Sequence, residues 1–339
     1  MSGIRVISAA DVKALFTLPM AIEAVERAYV QKHTGEGSVW PLVFHEFDPG
    51  HADLDIKSGN LDAEGIFGLK LVSWFGANPE KGLPALYGTS LICDLATGTP
   101  RALLNAGPVT DLRTGAAGAI GAKYLARSDS KVLAMVGCGE LAPYLIAATL
   151  LVLPQLEKVI LTNPRNPESA RQKNVGIQNK VDALLQMGGV SRFYRVEVEA
   201  DTEQAVRQAD VILTATPSRA ALIRREWVKP GTHISCVGAD MSGKQEIDEQ
   251  ILADARVFGD DTQQCFGVGE CESAYKAGLL HDLTEIGTVI AGAATGRMSE
   301  EEITVFDSTG IALQDLASAA VILQKAEKQN MGTVVELKT

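Results

Sequence analysis

One short stretch restricts this chain more than any other. Val132-Leu-Ala-Met-Val136 is an unbroken apolar run, and it ends in Gly137-Cys138-Gly139-Glu140-Leu141-Ala142. Such a run predicts a strand buried on both faces. The Gly-x-Gly-x-x-Ala spacing after it predicts a tight turn into a helix. The first glycine permits the turn, the second lets phosphates approach the backbone, and the small third residue lets helix and strand pack closely. The helix start offers unpaired N–H groups and the positive end of its dipole. Gly137, Gly139, Glu140 and Leu141 are therefore expected to touch the pyrophosphate of a dinucleotide. A tight turn in another kind of α/β domain would leave the same trace.

The rhythm downstream favours the dinucleotide. Strands are expected at Val132–Val136, Lys158–Leu161, Phe193–Val198, Val211–Thr214, Thr232–Val237 and Ala255–Gly259. Helices are expected from the glycine turn to about Leu153, over Pro167–Met187 and over Thr202–Gln208. This alternation predicts an α/β, Rossmann-type doubly wound parallel sheet. The first hundred residues read as mixed α and β. Ser8 and Asp11 frame a capped helix, and the β-rich runs Val39–Phe44, Ile66–Trp74 and Thr89–Cys93 are broken by Gly, Pro and Asp. Asp94–Gly98 reads as a turn before a short strand, Pro100–Asn105. Asp111–Ala126 keeps helical spacing but is rich in Ala and Gly, which predicts a closely packed helix bridging two domains. Thr309–Lys328 predicts a C-terminal helix with Leu313, Leu316, Ala317, Ala320 and Leu323 on one side.

Charge and cysteine use narrow the class. Lys plus Arg number 31 and Asp plus Glu 42, so the net charge is −11. Without a basic run, nucleic acid and anionic membranes are poor partners. The longest apolar stretch in view, Leu145–Leu153, falls short of the ~18 residues of a membrane span. The N-terminal residues lack the apolar run of a signal peptide. Five cysteines with no CxxC pair are expected to be reduced, in a cytoplasmic setting, and not to bind zinc. No histidine pair suggests a metal, and His233 reads as core.

Four positions carry charge where the pattern is apolar or functional. Lys70, in Gly68-Leu-Lys70-Leu-Val, is a lysine inside an apolar strand. It is either buried and used, with a lowered pKa suited to proton transfer, or exposed at an edge. Lys57, in Leu54-Asp-Ile-Lys57-Ser-Gly59, is a weaker example. Arg113 opens the bridging helix against its dipole; it serves either a carboxylate clamp or an internal ion pair. Asp240 follows a strand's C-terminal end, where it acts either as an acid/base or as a turn cap. After the second strand the chain reads Asn163-Pro-Arg165 with no acid to bind a ribose. Arg165 suits a 2′-phosphate or merely faces solvent, and Asn163 can bond a plain ribose. The cofactor is therefore NAD or NADP, with a slight lean to NADP.

Several segments together resemble the ornithine cyclodeaminase/mu-crystallin family. They are Gly68-Leu-Lys70, Asp94-Leu-Ala-Thr-Gly98, Thr110-Asp-Leu-Arg113-Thr-Gly, Val136-Gly-Cys-Gly139, Val237-Gly-Ala-Asp240-Met-Ser-Gly-Lys-Gln-Glu246, Gly269-Glu-Cys-Glu and Phe306-Asp-Ser-Thr-Gly310, in family order. The resemblance implies a homodimer. It implies a substrate-binding and dimerisation domain of α+β type at residues 1–112 with 308–339, and a NAD(P)-binding domain at 113–307. It implies an NAD(P)-dependent oxidoreductase passing hydride between nicotinamide and the Cα of a small amino acid or its imine. Lys70 and Arg113 would hold the substrate carboxylate, with Lys70 also placed for proton transfer and Asp240 as the partner acid/base. Lys57 would take a second carboxylate, and His45 is a further substrate-binding candidate. Thr114, Thr214, Val237 and Gly238 would join the cofactor contacts. The family's arginine after a proline in the first sheet is missing from Pro41-Leu-Val-Phe-His45, and His45 is the nearest polar substitute. An ammonia-releasing cyclodeaminase with recycled NAD is one alternative; a non-catalytic, crystallin-like dinucleotide binder is another.

Overall fold

Glycines set where helices reach the sheets of this protein. The computed structural model describes residues 3–336, which form two compact units, residues 3–113 with 311–336 and residues 114–310.

In the first unit, the Ser8 side chain caps helix Ala9–Leu15, and Asp11 bonds back to the Ser8 backbone. Helix Leu18–Thr34 follows and stops at Gly35, whose φ of 78° is left-handed. The main sheet runs Thr333–Val335, Ile4–Ile7, Pro100–Asn105, Leu86–Asp94, Ile66–Phe75, Ala52–Leu61 and Gly37–Val39, and strand Val43–Asp48 also pairs with Ala52–Leu61. The single strand expected over Val39–Phe44 is thus two short strands. Pro41, which has no N–H to give a ladder, lies in the break.

The registers of Ala52–Leu61 and Ile66–Phe75 place Lys57 opposite Lys70 and Gly59 opposite Gly68. The glycine pair leaves a bare patch on the sheet. There the helix Ala312–Gln329 comes close: a Cβ added at Gly59 would stand 3.1 Å from Leu313 Cδ2, and one at Gly68 would stand 3.1 Å from Leu316 Cδ2. This helix matches the apolar stripe read from its sequence, and Leu313, Leu316 and Leu323 are buried.

The second unit holds an eight-stranded, all-parallel sheet in the order Arg195–Val198, Lys158–Thr162, Val132–Val136, Val211–Thr214, His233–Cys236, Thr304–Asp307, Arg256–Gly259, Thr284–Glu285. The chain builds outward from Val132–Val136 in one direction, then returns to build the other way from Val211–Thr214. The glycine turn lies at that reversal, where open α/β sheets bind ligands. Thr304–Asp307 and Thr284–Glu285 were not expected from sequence; strands of four and two residues carry too little periodicity. Helices Pro167–Met187 and Thr202–Gln208 have the expected bounds, each with a side-chain N-cap, Asn166 and Asp201.

The Ala- and Gly-rich helix spans Gly107–Leu125, and the boundary between the units falls inside it. Within the second unit its glycines are contact points. A Cβ at Gly115 would lie 2.7 Å from Tyr144 O, a backbone atom of helix Ala142–Val152. His233 is fully buried between Thr304 and Ser235, and burial and then Arg297 keep its imidazole neutral. All five cysteines are free and buried. Among the described residues no helix is long and apolar enough to cross a membrane.

Gly115→Ala tests the close helix contact. The methyl group meets backbone that cannot rotate away, so overpacking should cost roughly 1–3 kcal/mol. Urea unfolding should show an earlier midpoint with unchanged slope.

Candidate active site

Cross-strand partners in an antiparallel ladder point to the same side of the sheet, and side chains alternate along each strand. Lys57 and Lys70 are such partners, so two lysines stand side by side. Both are buried, at 7% and 2% exposure. Like charges so placed repel, and burial adds a further cost. The compensation comes from the C-terminal helix. Asp315, in its first turn, accepts a hydrogen bond from Lys70 Nζ at 3.0 Å and lies 3.3 Å from Arg113 Nε. Arg113 Nη1 also donates to Gln314 Oε1 at 3.0 Å, and Gln314 Nε2 donates to Tyr29 at 2.7 Å. All of these groups belong to the first unit.

The electrostatics follow from this arrangement. Burial first, then Arg113 and Lys57, pull the Lys70 pKa from 10.5 down to about 8, with Asp315 opposing them. Asp315 is held below the usual carboxylate range despite its burial, because Lys70 and Arg113 favour its charged form. The first unit thus gathers three cationic side chains around two carboxylates, Asp315 and Asp55. Three atoms of the cluster keep unused hydrogen-bonding capacity, Asp55 Oδ1 among them. Asp315 Oδ2 and Arg113 Nε are buried, close to opposite charge, and not aligned to form hydrogen bonds. Among the described residues no group of three His, Cys, Asp or Glu side chains is arranged to hold a metal.

The sequence did not mark Asp315 or Gln314. The available signal was polar residues beside Leu313 and Leu316 on the helix face expected to be buried. Two expectations are corrected. Arg113 does not open its helix: the helix begins at Gly107, so Arg113 lies in its second turn and the dipole argument for it lapses. The small residues preceding it hid the true start. His45 is not brought to the cluster. It pairs with Leu54, three residues from Lys57, and therefore faces the opposite side of the sheet. Its strand is exposed throughout, and its ring stands edge-on to Phe47. Lys57 is the cation paired with Lys70 across the ladder.

The second unit places the remaining residues. Gly137 has φ 106°, and a Cβ there would lie 2.6 Å from Ala215 O, so only glycine fits. A Cβ at Gly139 would meet nothing within 4 Å. The backbone there is open to a ligand, and the following helix, Ala142–Val152, starts without a side-chain cap. Turn and helix start fit a dinucleotide's phosphates. Asn163 accepts from the Asn166 N–H at 3.3 Å, and exposed Arg165 donates to Ser218 Oγ at 3.2 Å. Thr114 is buried, as is Val237, with Gly238 beside it at the end of strand His233–Cys236. Asp240 is exposed and pairs with Lys244.

Thr214 is fully buried and points inward, donating to Glu246 Oε2 at 2.6 Å. Glu246 also accepts the N–H groups of Thr216 at 2.7 Å and Gly238 at 2.8 Å. It thereby ties together the ends of two neighbouring strands. Its own N–H and that of Ile247 donate to the buried Glu270 carboxylate. Burial raises the pKa of both acids. Glu246 stood within a recognised motif, but its burial and partners depend on folding.

Asp315→Asn removes the one carboxylate shared by Lys70 and Arg113. Breaking a buried ion pair from one side costs roughly 3–5 kcal/mol. Chemical denaturation should show that loss.

The family model for the ornithine cyclodeaminase/mu-crystallin family matches residues 4–330. Alanine dehydrogenase of Archaeoglobus fulgidus is 37% identical over 329 residues, 96% of each chain. An archaeal alanine dehydrogenase, solved as a dimer with bound NAD, superposes with TM-score 0.87 at 37% identity, covering 99% of both chains. The iminosuccinate reductase of Paracoccus denitrificans, solved with NAD+, gives TM-score 0.87 at 32% identity, over 99% of this chain and 100% of the other.

Proposed function

The chain belongs to the ornithine cyclodeaminase/mu-crystallin family, and from that footing we propose that it is a nicotinamide-dependent amino-acid dehydrogenase or imine reductase. The observation that carries this reading is the buried cluster of Lys57, Lys70 and Arg113 around Asp315. A cluster with more cations than carboxylates, and with an Arg113 Nε–H not yet in a hydrogen bond, suits an anionic ligand. A small 2-amino or 2-imino acid supplies one in its carboxylate.

Arg113 and Lys57 bind that carboxylate and fix the Cα. Lys70, with its pKa lowered by burial to about 8, is matched to giving or taking the nitrogen's proton near neutral pH. Asp240 is the second proton-handling group, with Lys244 holding its carboxylate. When bound, the dinucleotide would supply or accept the hydride. Gly137, Gly139, Glu140, Leu141, Asn163, Thr114, Val237 and Gly238 would hold it, and Thr214 would contribute through Glu246. NAD is the expected cofactor, since both solved relatives above carry it. Arg165, exposed and with no acid at the preceding strand end, supports acceptance of NADP as well. We propose that residues 1–112 with 308–339 bind substrate and dimerise, and that 113–307 bind the cofactor. Exposed Val43, Phe44, Phe47, Phe75, Leu86 and Tyr87 support burial against a second copy. Free cysteines support a cytoplasmic home.

The test is stereospecific NADH oxidation with pyruvate or glyoxylate plus ammonia, or with preformed cyclic imino acids. Lys70→Met should lower kcat/KM by roughly 10²-fold or more with the fold intact; unchanged turnover would remove Lys70 from the mechanism. In the free protein Lys70 is charged below pH about 8 and neutral above it. Affinity for the anionic substrate should therefore be full below that pH and fall as pH rises through it. A kcat/KM profile that is flat from pH 7 to 9, a span of ~1 unit on either side of that pKa, would contradict this. Arg165→Ala should raise the KM for NADPH and leave that for NADH nearly unchanged.

A further inference from the structure

Strand Ala52–Leu61 carries a carboxylate that the reaction above leaves unused. Asp55 stands opposite Val72, one same-face step along the ladder from the Lys57–Lys70 pair. It therefore shares their side of the sheet. The other neighbouring same-face pair, Gly59 with Gly68, is approached by Leu313 and Leu316 of the C-terminal helix. Asp55 lies on the far side of the lysines from that helix contact.

Its bonding state is unusual. Asp55 Oδ1 is buried and accepts no hydrogen bond. Asp315 is engaged with Lys70 and Arg113, whereas Asp55 acts on Lys70 only through its charge. Buried acceptors without donors are rare because desolvation is not repaid, so an orphan beside a site calls for a functional account.

Substrate chemistry provides one. A 2-amino or 2-imino acid carries an anionic carboxylate and a nitrogen donor on a single carbon. Lys57 and Asp55 are two residues apart on an extended strand, about 7 Å between Cα atoms. Side chains of that length converge on neighbouring groups, the cation on the carboxylate and the acceptor on the nitrogen.

We infer that Asp55 accepts an N–H from the substrate's amino or imino nitrogen and so selects nitrogen-bearing acids over 2-oxo and 2-hydroxy acids of the same shape. This rests on the function proposed above. Asp55 donates nothing to hydride transfer; it sets which substrate is held and in which orientation.

The experiment compares full-length wild type with Asp55→Asn and Asp55→Ser. NADH oxidation by a preformed cyclic imino acid is measured, with L-alanine and L-lactate as competing inhibitors that differ only in amine against hydroxyl. In Asp55→Asn the KM for the imine and the Ki for L-alanine should rise roughly tenfold or more, the worth of a charge-assisted hydrogen bond. The Ki for L-lactate should hardly move, and the inflection of Lys70 in the pH profile should remain. Far-UV circular dichroism should show both variants folded, with a somewhat lower melting temperature because Asp55 offsets part of the charge on Lys70. Equal weakening of both inhibitors, or unchanged alanine-over-lactate preference in a wild type that reduces imines, would overturn the role of Asp55 alone. A folded wild type that turns over no imine and no keto acid with ammonia would overturn the proposed function and this inference with it.

Discussion

The first unit depends on a buried ion cluster that its sheet creates and one helix neutralises. Two lysines paired across a ladder, with an arginine added, would be untenable in a low-dielectric interior without Asp315. Asp315 reaches them because Gly59 and Gly68 form a cross-strand pair with no side chains, which lets Leu313 and Leu316 come down onto the sheet. The symmetrical spelling Lys57-Ser-Gly59 and Gly68-Leu-Lys70 is the sequence imprint of that geometry. Charge that is only partly compensated, with hydrogen-bonding atoms left over, is poor engineering for stability and good preparation for an anion.

The second unit solves a related problem with carboxylates. Glu246 accepts from Thr214, Thr216 and Gly238, so one buried acid fixes the ends of two adjacent strands beside the glycine turn. Glu270 in turn fixes the backbone that carries Glu246. The backbone at these strand ends is thereby held by charge-assisted hydrogen bonds. The two units differ accordingly: a buried cationic cluster with a tuned lysine in one, a glycine turn braced by buried acids in the other.

How much of this was legible varied with the local signal. The glycine turn, helix Pro167–Met187 and the strand Pro100–Asn105 had sharp local chemistry and were read with little or no error. Thr304–Asp307 was missed because four buried residues have no period to detect, although it sits between two other strands at the heart of the sheet. The helix start at Gly107 was missed because Gly107-Pro108 reads as a turn before it reads as a first helical turn. His45 was misassigned because register, not nearness in the chain, decides which face a strand residue occupies.

What the sequence by itself determined was the class of each part: an alternating α/β half with a tight glycine turn, a mixed half with lysines in apolar strands, and family membership through motifs spread along the chain. Local rules suffice for that, since turns, caps and periodicity are set by neighbours within a few residues. Only the tertiary structure decided that Lys57 and Lys70 are partners, that Asp315 from the far end of the chain neutralises them, and that Asp55 joins their face while His45 does not. Those relations come from strand register and helix docking, long-range contacts whose energies no local stretch of sequence contains.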